Sequence, residues 1–283
     1  MLFKLFVSSR PLSWVNTAFP FAAAYVLTAG VDATLVIGTL YFLIPYNLAM
    51  YGINDVFDYE SDLRNPRKGG VEGAVLDRSM HRPTLIAVAV TNIPFLIYLV
   101  VVGSPLSWVV LAISIFAVVA YSAKGLRFKE KPFLDSLTSS THFVSPAVYG
   151  LVLAGATFSP QLWALLGAFF LWGAASHAFG AVQDVIADRE GGLASVATVI
   201  GARATVRLSV VLYLLAGALL LFAGWPAALA AVLALPYAVS CAVYWNITDA
   251  AAETANRGWK RFLYLNFATG FLVTMLLIVS ALT

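Results

Sequence analysis

Long apolar stretches alternate with short polar ones along the whole chain. Nine stretches, near residues 12–30, 34–56, 83–102, 105–123, 134–155, 159–183, 204–223, 226–247 and 262–282, approach or reach the length that crosses a hydrocarbon layer as a helix, about 20 residues each. The pattern predicts an all-α polytopic membrane protein with nine transmembrane helices. Lys4 and Arg10 precede the first stretch as they would in a signal peptide, but the stretch is too long for an h-region and eight more follow, so it is expected to be retained.

The polar positions between the stretches are sorted by charge. All 17 Lys and Arg lie at the N-terminus, in the loops after the second, fourth, sixth and eighth stretches or, for Arg207, in the first turn of the seventh on the same side. The opposite loops are short turns such as Gly103-Ser104 and Gly224-Trp225-Pro226, and Asp32 is their one acid. By the positive-inside rule the basic side, with the N-terminus, is cytoplasmic, and the chain belongs in the cell (inner) membrane as a multi-pass protein. The second and sixth stretches each end in an acidic cluster followed by a long, basic, Gly-containing loop. This weak repeat predicts two four-helix halves plus a ninth helix around a central cavity, the whole chain 1–283 forming one membrane domain.

Composition agrees: 61% of residues are hydrophobic and 11% charged, against about 25% charged in soluble proteins. The net charge of +3 is accounted for by the cytoplasmic loops and calls for no nucleic acid. Cys241, the one cysteine, excludes an internal disulfide framework and a cysteine metal site.

The acidic clusters carry the chemistry. Asn54, Asp58 and Asp62 recur every fourth position, as do Asp184 and Asp188, which stacks each set along one helical face. Like charges one turn apart repel, and more strongly near lipid, so a cation is expected between them. Hard oxygen ligands suit Mg²⁺, which bridges a few carboxylates to the phosphates of a substrate. Helix-end carboxylates paired with nearby Arg and Lys are the plainer reading, and a cation-coupled transporter is the rival from another class. Transporter carboxylates usually lie at the bilayer midplane, whereas these stand at cytoplasmic ends beside basic loops.

With these motifs the chain resembles the UbiA-type intramembrane prenyltransferases, whose nine helices carry NxxxDxxxD after the second and DxxxD after the sixth. The likeness covers essentially the whole chain. It implies that Asn54, Asp58, Asp62, Asp184 and Asp188 hold Mg²⁺ and the diphosphate of an allylic donor, whose C–O bond ionises before an electron-rich acceptor captures the allylic cation. Within the superfamily, the loops from Asn54 to Ala74 and from Phe179 to Ser195 are most similar to lycopene elongases of C50 carotenoid synthesis. That likeness implies dimethylallyl diphosphate as donor and lycopene as acceptor, extended to C45 and C50 carotenoids, with membrane lipid around the protein and a carotenoid cyclase as a downstream partner. Other acceptors in the superfamily are aromatic quinone precursors and lipids.

Further candidates follow from position. Asn47 and Tyr51 lie on the Asn54 face, where an aromatic or carbonyl-bearing wall would tolerate a carbocation; ordinary helix packing is the alternative for Tyr51. His177, seven residues before Asp184 and on the same face, is a candidate catalytic base, or else a hydrogen-bonded core histidine. Arg67, Lys68 and Arg189 adjoin the acid motifs and are expected to bind diphosphate. Lys124, Arg127 and Lys129 resemble the family's cationic segment after the fourth helix, with attraction to anionic lipid as the alternative. Gly69-Gly70 and Gly191-Gly192 would let backbone approach phosphate, or simply form turns.

Overall fold

The computed structural model describes residues 1–63 and 75–283. Among them the secondary structure is helical throughout. In chain order the α-helices are α1 (Leu2–Ser8), α2 (Val15–Ala29), α3 (Ala33–Leu43), α4 (Pro45–Phe57), α5 (Tyr59–Asp62), α6 (Arg78–Val101), α7 (Pro105–Ser122) and α8 (Leu134–Leu153). They continue with α9 (Pro160–Val182), α10 (Val185–Glu190), α11 (Val196–Ile200), α12 (Ala202–Leu220), α13 (Ala234–Ala242) and α14 (Asn256–Leu282). Short 3-10 helices cover Pro11–Ser13, Phe128–Glu130, Ala227–Leu233 and Asp249–Ala255.

Each of the nine apolar stretches is helical, but among the described residues six helices are long and apolar enough to cross a membrane: Ala33–Phe57, Arg78–Val101, Pro105–Ser122, Pro160–Val182, Ala202–Leu220 and Asp249–Leu282. The first stretch yields only the 15 residues of α2. The eighth is divided, a 3-10 turn running into α13. Pro236, in the first turn of α13, has no N–H for the Val232 carbonyl and so removes one α-helical hydrogen bond at this junction.

The helices pack into two compact units. One comprises Met1–Phe128 and Ser145–Ala156, the other Lys129–Val144 and Thr157–Thr283. One division falls at Phe128/Lys129, between the fourth and fifth stretches, and another falls within α8, whose residues from Ser145 onward join the first unit. The core of the first unit is aromatic: Phe21, Tyr41, Phe42, Tyr46 and Tyr149 are fully buried, with Phe21 and Phe42 centroids 5.0 Å apart. In the second unit Tyr213 stacks on Tyr237 at 5.3 Å, and Trp172 and Phe262 close against them.

Outer faces are apolar, and polar side chains lie among the apolar ones inside. Val90 is 64% exposed, Ile97 60% and Phe271 63%, whereas Asn47, Ser107, Ser114, Ser140, Thr205 and Ser209 are buried without exposure. In water so apolar an exterior would be unfavourable; lipid makes it the stable one, and each polar group then finds its partner inside the protein. Asn47 and Asn92 show why. Pro45 separates α3 from α4 and frees carbonyls. Asn47 Nδ2 donates to the Phe42 and Leu43 carbonyls at 2.8 and 3.0 Å, and Asn92 Nδ2 donates to the Pro45 carbonyl at 2.8 Å. An apolar groove of about 660 Å³ borders this break, lined by Leu5, Trp14, Leu48, Ile86 and Val90 among others.

Candidate active site

In both units the acid motif sits where a helix is interrupted. α4 ends at Phe57 and Asp58 takes φ −97°, ψ 0°. α9 ends at Val182 and Asp184 takes φ −95°, ψ −4°. Neither proline nor glycine stands at either aspartate. The two conformations are nearly the same and fall in the sparsely occupied bridge region. The fourfold spacing nonetheless survives in the backbone: Asp58 N–H donates to the Asn54 carbonyl at 2.9 Å, and Asp188 N–H to the Asp184 carbonyl at 2.8 Å.

In the first unit Asn54 is held from behind. Its Nδ2 donates to Ser122 Oγ at the end of α7, 3.0 Å away, which turns the amide oxygen to the opposite side. Asp58 is 6% exposed, and Arg127 comes to it: one guanidinium nitrogen lies 3.7 Å from Asp58 Oδ1 and another 3.4 Å from the Phe57 carbonyl. Arg127 reaches there from a backbone at φ 40°. A cation of the loop after the fourth stretch therefore stands beside the first acid motif. Lys124 is exposed and Lys129 half-buried. The Asp62 side chain, Arg67, Lys68 and Gly69-Gly70 lie outside the described residues.

In the second unit Asp184 and Asp188 are half-buried. Gln183, beside them, accepts from Asn256 Nδ2 at 2.5 Å, tying the end of α9 to the start of α14. Closer approach is possible because position 180 is glycine: a Cβ there would overlap the Trp259 indole nitrogen. Gly180→Ala is expected to cost about 1–3 kcal/mol by overpacking and to lower the melting temperature of the purified protein. Unchanged melting would mean that Trp259 repacks without strain.

Three candidates are engaged elsewhere. Asn47 is fully buried at the α3–α4 break, its amide hydrogens turned to backbone carbonyls and to Thr17 Oγ1. Tyr51 lies beneath the Arg10 guanidinium, 4.4 Å from ring centroid to Cζ. Arg189 donates to the Thr198 carbonyl at 2.8 and 3.2 Å and to Asp249 Oδ2 at 2.6 Å, so it clamps α10 to its neighbours. Gly192, at φ 68°, ends α10. Leu193 N–H returns to the Asp188 carbonyl and Gly192 N–H to that of Arg189, a Schellman turn that favours glycine at that residue. The glycine pair thus makes a turn.

His177 is hydrogen-bonded, its Nδ1 3.1 Å from Ser136 Oγ of α8. The adjacent Asp135 is fully buried and accepts the N–H of Ser136 at 2.6 Å and that of Val196 at 2.8 Å. Neither Asp135 nor Ser136 was singled out from the sequence, although the polar run from Asp135 to His142 inside an apolar stretch was a signal for them.

The donor set fits Mg²⁺. Among the described residues no three of His, Cys, Asp and Glu come together, and the motifs offer the hard oxygen donors of Asn54 and Asp58 in one unit and of Asp184 and Asp188 in the other. Mg²⁺ is held in this way, by one or two carboxylates with substrate phosphates completing its shell.

Comparison with known proteins gives the class. The sequence profile of the UbiA prenyltransferase family matches residues 17–268. The chain belongs to that family and is a prenyltransferase. It is 63% identical over its whole length to the C(50) beta-cyclic carotenoids biosynthesis protein LbtBC of Dietzia sp. (strain CQ4), of which it spans 66%. It is 58% identical over 97% of its length to a lycopene elongase/hydratase of Corynebacterium glutamicum, covering 96% of that protein. Among solved structures, a UbiA homolog from Archaeoglobus fulgidus bound to DMAPP and Mg²⁺ superposes with a TM-score of 0.68 at 18% identity, over 96% of this chain and 99% of that one. At that identity the likeness is one of fold.

Proposed function

We propose that this chain transfers dimethylallyl groups from dimethylallyl diphosphate to the ends of lycopene, with Mg²⁺, giving C45 and C50 carotenoids. The near full-length identity to a protein named lycopene elongase/hydratase, together with two acid motifs of matched conformation, carries this reading. Nine membrane helices, the cytoplasmic placement of the acid motifs and the inner membrane belong to the same proposal, supported by the one-sided distribution of Lys and Arg.

Asn54, Asp58, Asp62, Asp184 and Asp188 would hold the metal, which when bound neutralises the diphosphate and favours its departure. Arg127 adds a cation where charge develops on the leaving group, with Arg67 and Lys68 in the same role. The acceptor is a terminal carbon–carbon double bond, so it asks for no charged anchor.

The test is the product mass after purified protein in detergent is given lycopene, dimethylallyl diphosphate and Mg²⁺. Carotenoids heavier by one and two C5 units, absent under chelation, are expected. A folded preparation that extends an aromatic acid instead would overturn the acceptor assignment.

A further inference from the structure

Attack of the lycopene double bond on the allyl carbon forms one C–C bond as the C–O bond breaks, its electron pair leaving on diphosphate. A tertiary carbocation remains on the acceptor. Some group must receive the proton that ends the reaction. None of the metal-binding carboxylates suits this, because each is committed to the metal and the departing diphosphate.

The second unit contains a different constellation. His177 lies on α9 seven residues before Asp184, which falls just past the end of that helix at Val182, about 10 Å away at about 1.5 Å per residue. An allylic C5 group bound by its diphosphate at Asp184 extends over part of that distance. Ser136 Oγ holds His177 Nδ1 at 3.1 Å. The Asp135 carboxylate next to that hydroxyl is fully buried and fixed by two backbone N–H groups. A buried negative charge is stabilised by positive charge developing nearby, all the more where the dielectric is low. Ser139, also buried, lies one turn along α8 from Ser136. Imidazole and hydroxyls together supply the two to four polar partners that an enclosed water needs.

We infer that His177 is the terminating base and that it works on water. Water adds to the tertiary carbocation through oxygen, the proton it sheds passes to His177 Nε2, and the product is a tertiary alcohol. The imidazolium later releases its proton to solvent. In the tautomer that serves this step, Nδ1–H donates to Ser136 Oγ, 3.1 Å away, and the lone pair lies on Nε2. Ser136 and Asp135 are positioning residues. This inference rests on the lycopene reading above and deepens it by assigning the hydration step to named groups.

The experiment uses the full chain in detergent with lycopene, dimethylallyl diphosphate and Mg²⁺ in ¹⁸O-enriched water. Wild-type product is expected to carry ¹⁸O. The decisive variant is His177→Gln, read by the partition between hydroxylated and olefinic product. Its hydroxylated fraction should fall about tenfold or more, as for loss of a general base, in favour of an olefin lighter by one water. Added imidazole should restore hydroxylation to His177→Ala, and Ser136→Ala should shift the partition the same way to a smaller extent. An unlabelled wild-type product, or an unaltered ¹⁸O fraction in His177→Gln, overturns the inference while leaving elongation intact. Loss of diphosphate release together with thermal stability, without imidazole rescue, marks His177 as a packing residue and also overturns it. A wild-type protein that never extends lycopene fails the lycopene reading and takes this inference with it.

Discussion

Asp58→Asn and Asp184→Asn are each expected to cut turnover by about 10²–10³-fold, the scale for losing one preorganised electrostatic group at a reacting centre. Asparagine keeps the size and one acceptor oxygen, and it tolerates turn conformations, so the interrupted backbone at φ −97° and φ −95° should persist. What disappears is the charge that a hard cation needs. The two motifs have the same local form, so the two variants should be impaired alike. Turnover of diphosphate and thermal unfolding, measured on one preparation, decide the matter: lost turnover with wild-type melting is expected. A wild-type rate in either variant would remove that motif from the chemistry.

The largest effect on stability is expected at a pair that touches no substrate. Asp55, next to Asn54, has a fully buried side chain that accepts from Ser8 Oγ at 2.6 Å and from the Arg10 guanidinium at 3.1 Å. Arg10→Met takes the guanidinium from a buried carboxylate, which costs about 3–5 kcal/mol. The Arg10→Met/Asp55→Leu double variant should recover most of that loss, because it removes both charges at once. A double-mutant cycle read by unfolding in detergent checks this. A single-variant cost below about 1 kcal/mol, the scale of an exposed pair, would contradict the burial argument.

The ease of reading this chain from its sequence follows the range of the interactions. Hydropathy is summed locally, so the apolar stretches were legible, and among the described residues six helices are long and apolar enough to cross a membrane. The interruptions at Ile44–Pro45, Asp58 and Asp184 were invisible to that sum, because what sustains them lies far along the chain. Asn92, 47 residues from Pro45, supplies a hydrogen bond to its carbonyl, and Arg127, 70 residues from Phe57, reaches the carbonyl beside Asp58.

The candidate site divides in the same way. Oxygen donors at fourfold spacing are a local pattern and were legible. Contacts with a distant partner were not. Arg189 adjoins an acid motif, yet its charge is met by Asp249, 60 residues on. Tyr51 lies on the Asn54 face, yet its ring is covered by Arg10. His177 was legible as a polar group in an apolar helix, whereas Ser136 and Asp135, which give it context, come from a different helix. Within a membrane-adapted core every polar group is drawn to some partner, and sequence spacing does not say which.

The apolar outer faces have a thermodynamic consequence. Val90, Ile97 and Phe271 meet lipid in the folded protein, and they remain in an apolar medium when helices separate within a bilayer or micelle. Unfolding raises heat capacity chiefly because apolar surface meets water, by about 12–15 cal/mol/K per residue in soluble domains. Here that increase is expected to be far smaller, so the free energy of unfolding should change almost linearly with temperature. The pronounced dome of a soluble domain, with its loss of stability on cooling, should flatten accordingly.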